Sequence, residues 1–266
     1  MISHLFPIDF SLLYLSISCP FLLSPENKSK KYWYVLLFFI FLHSKTEENL
    51  STALRPRIRA KYKDVVIQCC ASGGGRANWG TSYFFPAIAM ASHISAVPNH
   101  TVFRTTSLKY RIDVAMSGRL GMEIQPKNMT DEEKALCKKA ISEYKEIRPV
   151  VQFGDLYRLV SPYDNQGLSS IMYVSEAKDK AVFYWWKIAN FYNVHLPLVK
   201  MAGLDANKMY KVRELDVIDN KPLDCEGKSY SGKYLMEHGL EMPYTNEVDW
   251  GKKTDWSSRV LYLEAQ

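Results

Sequence analysis

The sequence predicts an α/β segment followed by an all-β domain, and three observations carry that prediction. A β-rich run, Val65-Val66-Ile67-Gln68-Cys69, opens directly into Cys70-Ala71-Ser72-Gly73-Gly74-Gly75-Arg76, as a buried strand does when it ends in a ligand-binding loop. Helical periodicity flanks that strand as far as Val150. Beyond it, runs rich in Val, Ile, Tyr and Trp are separated by Asp/Asn/Gly/Pro clusters, the mark of antiparallel strands and their turns. Taken alone, the glycine heptad is equally an ordinary turn. It matches neither the Gly-Lys-Ser/Thr ending of a P-loop nor the spacing of a dinucleotide fingerprint.

With 266 residues, 47% of them hydrophobic, the chain can bury a sizeable core in one large or two smaller domains. Its formal charge of +6 is uneven: residues 1–62 hold 8 Lys/Arg against 4 Asp/Glu, and residues 63–266 hold 26 against 24. The folded part is nearly neutral, so no nucleic-acid partner is expected. Cys19, Cys69, Cys70, Cys137 and Cys225 form no Cys-x-x-Cys pair and have no histidine at zinc-ligand spacing. Free thiols in a reducing, cytoplasmic setting are expected, without metal or cofactor. The N-x-S/T sequons at Asn27, Asn49, Asn99 and Asn128 then count as chance.

In chain order, residues 1–45 read as an apolar leader outside the domains. Phe10–Leu23 is interrupted by Ser11, Ser16, Ser18 and Pro20, and Tyr32–Leu42 is shorter than the roughly 20 apolar residues a spanning helix needs. A membrane partner is therefore not expected, although the second run leaves a signal-like or membrane-associated segment as the alternative. From Thr46, Leu50, Leu54, Ile58 and Tyr62 recur at helical spacing, with Pro56 set to kink the helix.

After the glycine loop, His93-Ile94-Ser95-Ala96-Val97-Pro98-Asn99-His100 predicts another strand ending in a polar loop. His93 and His100 are expected to be structural. Leu108 to Ser117 predicts a helix broken by Gly118 and Gly121. Thr130 and Glu133 form a capping box opening a helix whose Leu136, Ala140, Tyr144 and Ile147 face the core until Pro149 stops it. Strands are predicted at Tyr157–Val160, Ser170–Ser175, Ala181–Trp186, Met209–Leu215 and Arg259–Leu263. The expected units are residues 1–45, 46–150 and 151–266, the last folding independently.

These residues resemble the retaining α-galactosidases (melibiases) of glycoside hydrolase family 36. The resemblance rests on Cys70–Arg76, Trp79-Gly80-Thr81-Ser82, His93–His100, Arg104-Thr105-Thr106-Ser107-Leu108 with Arg111, and Gly118–Glu123. It continues through Tyr157–Pro162, Leu204-Asp205, Tyr210–Leu215, Tyr230-Ser231-Gly232 and Asp255–Arg259. So many ordered matches over roughly residues 46–266 are far more specific than any one motif. The resemblance implies a C-terminal remnant of a (β/α)8 TIM barrel over 46–150, followed by an antiparallel β-sandwich domain over 151–266. Its sugar site would lie at the C-terminal ends of the barrel strands. In the family the residues matching Cys70 and Gly73 contact galactose, so these two are the implied substrate-binding positions.

The departures from the family decide what else is implied. Its members place a helix and a strand, carrying the acid/base aspartate in an Asp-Asn-Thr-Asp-like motif, between the residues matching Asn78 and Trp79, which are adjacent here. The Lys-Trp-Asp context of the nucleophile does not occur in residues 1–64, whose only aspartates are Asp9 and Asp64. Retaining hydrolysis needs two carboxyls about 5–5.5 Å apart, and neither is supplied. Asp113, near Arg111 and Arg119, is expected to be solvated or ion-paired. Glu123 follows a glycine corner that could bury it, but no partner at a useful spacing suggests acid/base work. The expectation is an α-galactosidase-like hydrolase present as a truncated, inactive fragment with weak affinity for galactose or an α-galactoside. A non-catalytic carbohydrate-binding or subunit-interaction protein, compatible with an oligomer, is the alternative, and a membrane-anchored version is a third.

Overall fold

A computed structural model describes residues 34–36, 66–70, 82–83, 85–99, 103–164, 167–188, 198–217, 222–242 and 256–266, the first two segments as backbone only. The helix expected over 46–62, the loop beyond Cys70, the junction of Asn78 with Trp79, and His100 lie outside these residues.

Two sheets organise the chain. The first is parallel, with strands β1 (Tyr34–Leu36), β2 (Val66–Cys70), β3 (Met90–Ser95) and β4 (Arg119–Glu123) adjacent in that order. Sequential parallel neighbours joined by crossovers are the pattern of a barrel wall. Tyr34–Leu36, inside the segment read as a leader, pairs with Val66–Gln68. The second sheet is antiparallel: β5 (Asp155–Val160), β6 (Leu168–Val174), β7 (Lys180–Lys187), β8 (Met209–Leu215), β9 (Ser229–Ser231) and β10 (Ser257–Ala265). Its order is β5-β6-β7-β10-β8-β9, so β10 is inserted between β7 and β8.

Helix α1 (Leu108–Met116) starts where the Ser107 hydroxyl accepts from the Tyr110 N–H. Helix α2 (Asp131–Phe153) carries the predicted capping box, with Thr130 Oγ1 accepting from Glu133 N–H at 3.2 Å and Glu133 Oε2 accepting from Thr130 N–H at 3.0 Å. Its stripe of Cys137, Ala140, Tyr144, Ile147 and Val150 is buried as expected. Pro149 does not stop the helix, which runs on to Phe153. Proline forfeits one N–H bond to the carbonyl four residues back, and with only one turn remaining the packing of Val150 and Val151 outweighs that loss.

β6 and β7 are buried along nearly their whole length, on both faces, rather than alternating between core and solvent. One face, carrying Ile171, Tyr173, Tyr184, Trp186 and Tyr262, packs on α1 and α2 in a single core. The other, with Met172, Phe183, Trp185 and Leu261, is covered by Val199, Met201, Leu204, Leu235 and Leu240 from the connecting segments and helix α3 (Gly232–Glu237). A cut at 150/151 would fall inside α2 and through the first of these cores.

Hydroxyls from the sheet finish α1. The last carbonyls of a helix have no intrahelical donor; here Tyr184 donates to Met116 O at 2.9 Å and Tyr173 to Ser117 O at 3.0 Å. Tyr144 of α2 donates to Gly118 O at 2.6 Å.

Candidate functional site

In the parallel sheet β3 sets the two faces. Met90 and Ile94 belong to the core shared with the helices, so Ala91, His93 and Ser95 point to the opposite, barrel-interior face. The register places Arg119, Gly121 and Glu123 of β4 beside them, and Cys70 of β2 beside Ala91. Cys70 therefore stands at the C-terminal end of its strand, on the rim where barrel enzymes bind substrate. Gly73 lies outside the described residues.

Two polar residues meet on this face. His93 Nδ1 lies 3.1 Å from Glu123 Oε1. The ring fits because Gly121 has no side chain: a Cβ there would come within 2.2 Å of His93 Cδ2. Glu123 is 47% exposed rather than buried, and its partner is a histidine thirty residues earlier in the chain. Sequence spacing could not show this, because the two are brought together by strand register.

Arginines brace the loop that follows β3. Arg111 of α1 donates through Nη1 to Ser95 O and through Nε to Ser107 O at 3.4 Å. Burial pushes its guanidinium below the ordinary range, with the charge of Glu133 opposing that shift. Asn99 is buried, its N–H donating to Arg104 O at 2.9 Å and its carbonyl accepting from Phe103 N–H at 2.8 Å. Arg104 in turn lies 4.0 Å over the Trp256 ring, whose other contact is edge-on with Tyr110.

Several motifs noted in the sequence have structural roles, in the β domain or between it and the barrel segment. Arg158 of β5 donates through Nε to Ser82 Oγ at 2.9 Å and lies 4.0 Å over Tyr83. Arg259 pairs with Glu214 at 2.8 Å, and Ser258 reaches Asp113 at 2.7 Å. Asp113 is fully buried and ion-paired with Lys109, not solvated and not paired with Arg111 or Arg119. Gly232 permits the close approach of Asp205, since a Cβ would meet Asp205 O at 2.1 Å. Arg158 and Ser258 thus join the barrel segment to the β domain, whereas Arg259–Glu214 and Gly232–Asp205 brace the β domain internally.

Fold and rim together define the last part of a (β/α)8 barrel with its C-terminal antiparallel domain. Residues 77–154 match the melibiase family model, and residues 168–263 match that of the glycosyl hydrolase family 36 C-terminal domain. The chain belongs to glycoside hydrolase family 36. It is 32% identical over 233 residues to α-galactosidase AgaA of Geobacillus stearothermophilus, covering 78% of this chain and 29% of that one. To a probable α-galactosidase G of Aspergillus terreus it is 32% identical over 235 residues, covering 79% of this chain and 30% of the relative. Crystal structures of AgaA variants in complex with raffinose and with stachyose align at TM-scores of 0.62 and 0.63, each at 29% identity, over 80% of this chain and 30% of theirs. The chain thus spans about three-tenths of the length of these relatives.

Proposed function

We propose that this chain is the C-terminal, sugar-facing part of an α-galactosidase-type glycoside hydrolase, and that by itself it cleaves no α-galactoside. One observation carries the second half of that reading: β1–β4 hold a single carboxylate, Glu123, and it is already engaged by His93 at 3.1 Å. A retaining mechanism needs one carboxylate to attack the anomeric carbon and a second to protonate the departing oxygen. Asp113 offers no substitute, because it is sealed between α1 and β10.

Cys70 and Gly73 are the proposed galactose contacts, supported by the family resemblance and by the place of Cys70 on the strand rim. The bound raffinose and stachyose of the related structures make α-galactosides the ligands to examine. The purified chain with nitrophenyl α-galactoside, alone or with azide or formate as replacement nucleophile, should show no turnover above a Cys70→Ala, Gly73→Val double variant. Turnover above that background, lost in Glu123→Gln, would overturn the reading and make Glu123 the working carboxylate.

A further inference from the structure

Where α1 and α2 meet the antiparallel sheet, a group of carboxyls remains that hydrolysis does not use. Asp113 of α1 has no solvent exposure; its Oδ2 accepts from Lys109 Nζ and from Ser258 Oγ of β10, both at 2.7 Å, and its Oδ1 has no partner. Asp216, immediately after β8, is equally buried, and neither of its carboxyl oxygens has a hydrogen-bond partner. It is held instead through its backbone, in a left-handed conformation at φ 57°, with its N–H donating to Glu143 Oε2 of α2 at 3.0 Å.

The other groups around the two carboxyls do not balance them. Lys139 of α2 sits 3.9 Å from Glu143 and is half exposed. Glu214 of β8 is occupied by Arg259 of β10 at 2.8 Å and by the Leu223 N–H at 2.7 Å. The phenols of Tyr110 and Tyr184 and the thiol of Cys137 face the same region. Arg213 of β8, whose charge also reaches Glu143, is paired with Glu146 at 2.7 Å. Among the described residues, Asp113, Asp216 and Glu143 are thus set against Lys109 and Lys139, one cation short.

An ionised carboxylate buried without donors is strongly disfavoured. A protonated one is neutral and becomes a donor. Among the described residues no three His, Cys, Asp or Glu side chains are placed to hold a metal ion. A bound proton relieves the pair directly, by removing one charge and supplying one donor. We propose that Asp113 and Asp216 form a proton-binding site at the joint between the barrel segment and the β domain, so that packing α1 and α2 onto the sheet takes up one proton and the joint loosens as the pH rises. This inference does not depend on the glycoside hydrolase reading.

The electrostatics support the direction. Burial, with the charge of Asp113 adding to it and Lys109 opposing, pushes Asp216 up to about 7. Burial also raises Asp113, against Lys109 and Ser258. An unfolded aspartate titrates at about 3.9. Between about pH 4 and 7 the folded chain therefore holds a proton that the unfolded chain lacks. Stability falls across that window as pH rises, then levels off above it.

The test is urea unfolding of the full chain from pH 5 to 8. The wild type should lose up to about tenfold in its folding equilibrium constant per pH unit through the window, equivalent to about 1.4 kcal/mol. Asp216→Asn, which keeps the shape and supplies a donor without charge, should flatten that slope by about one proton and unfold later than the wild type at pH 8. A variant with the wild-type slope overturns the proposal. Infrared spectroscopy of the wild type provides a readout that needs no variant: a protonated carboxyl band, shifting in heavy water, should persist at pH 6 and vanish by pH 9. Its absence at pH 6 equally overturns the proposal.

Discussion

Removing one hydroxyl, in Tyr184→Phe, tests whether α1 is held to the sheet through its C-terminal carbonyls. The Tyr184 ring would stay in place, stacked on Trp186 at 5.5 Å and edge-on to Tyr173 at 6.2 Å, so little packing is lost. What disappears is the O–H that donates to Met116 O at 2.9 Å, between two residues with no solvent exposure. That carbonyl belongs to the last turn of α1, where no helical N–H can replace the donor. Leaving a buried acceptor unpaired costs about 1–3 kcal/mol. Urea unfolding of the full chain, followed by tryptophan fluorescence and far-ultraviolet circular dichroism, should show an unfolding free energy lower by that amount, read as a lower midpoint at an unchanged slope. Tyr163→Phe, at an exposed tyrosine, serves as the control and should leave the midpoint in place. A Tyr184→Phe midpoint indistinguishable from that of the control would refute the reasoning, because the carbonyl would then have found another donor or solvent.

Two further substitutions probe features that depart from the sequence pattern. Gly121→Ala would press its Cβ to within 2.2 Å of the His93 ring; a loss of about 1–3 kcal/mol is expected from overpacking, together with a shift of the His93 ring resonances as its contact with Glu123 breaks. Pro149→Ala restores an N–H inside α2 and should stabilise the chain by up to the roughly 3 kcal/mol that an interior proline costs, seen as a raised thermal midpoint; a lower midpoint would mean that the proline ring itself is needed in the packing.

Local chemistry was legible in the sequence, whereas register was not. The alternation of Met209–Leu215 fixed β8 to the residue, and Thr130 with Glu133 located the start of α2, because a capping box and a half-buried strand are set by neighbouring residues. β4 escaped notice because Gly118 and Gly121 read as breakers. Gly121 instead lies inside the strand, kept small by a ring from the adjacent one. The same limit hid the His93–Glu123 contact, which strand register supplies, and the burial of Asp113, whose partner Lys109 lies one turn back on α1 but whose cover and second partner, Ser258, come from packing against β10. β6 and β7 defied simple alternation because both their faces are covered, so their periodicity carries no inside and outside.

The position of β10 also bears on how the chain folds as it is made. With β10 absent, β7 and β8 face each other across a gap one strand wide, each presenting a row of open backbone groups. The two halves of the sheet can join only when residues 257–265 have been synthesised and inserted between strands completed long before. Such non-local pairing closes late and slowly. During that interval the nascent protein exposes two unpaired edges beside a strongly apolar surface, which is the state that a chaperone would recognise and that premature termination would leave behind.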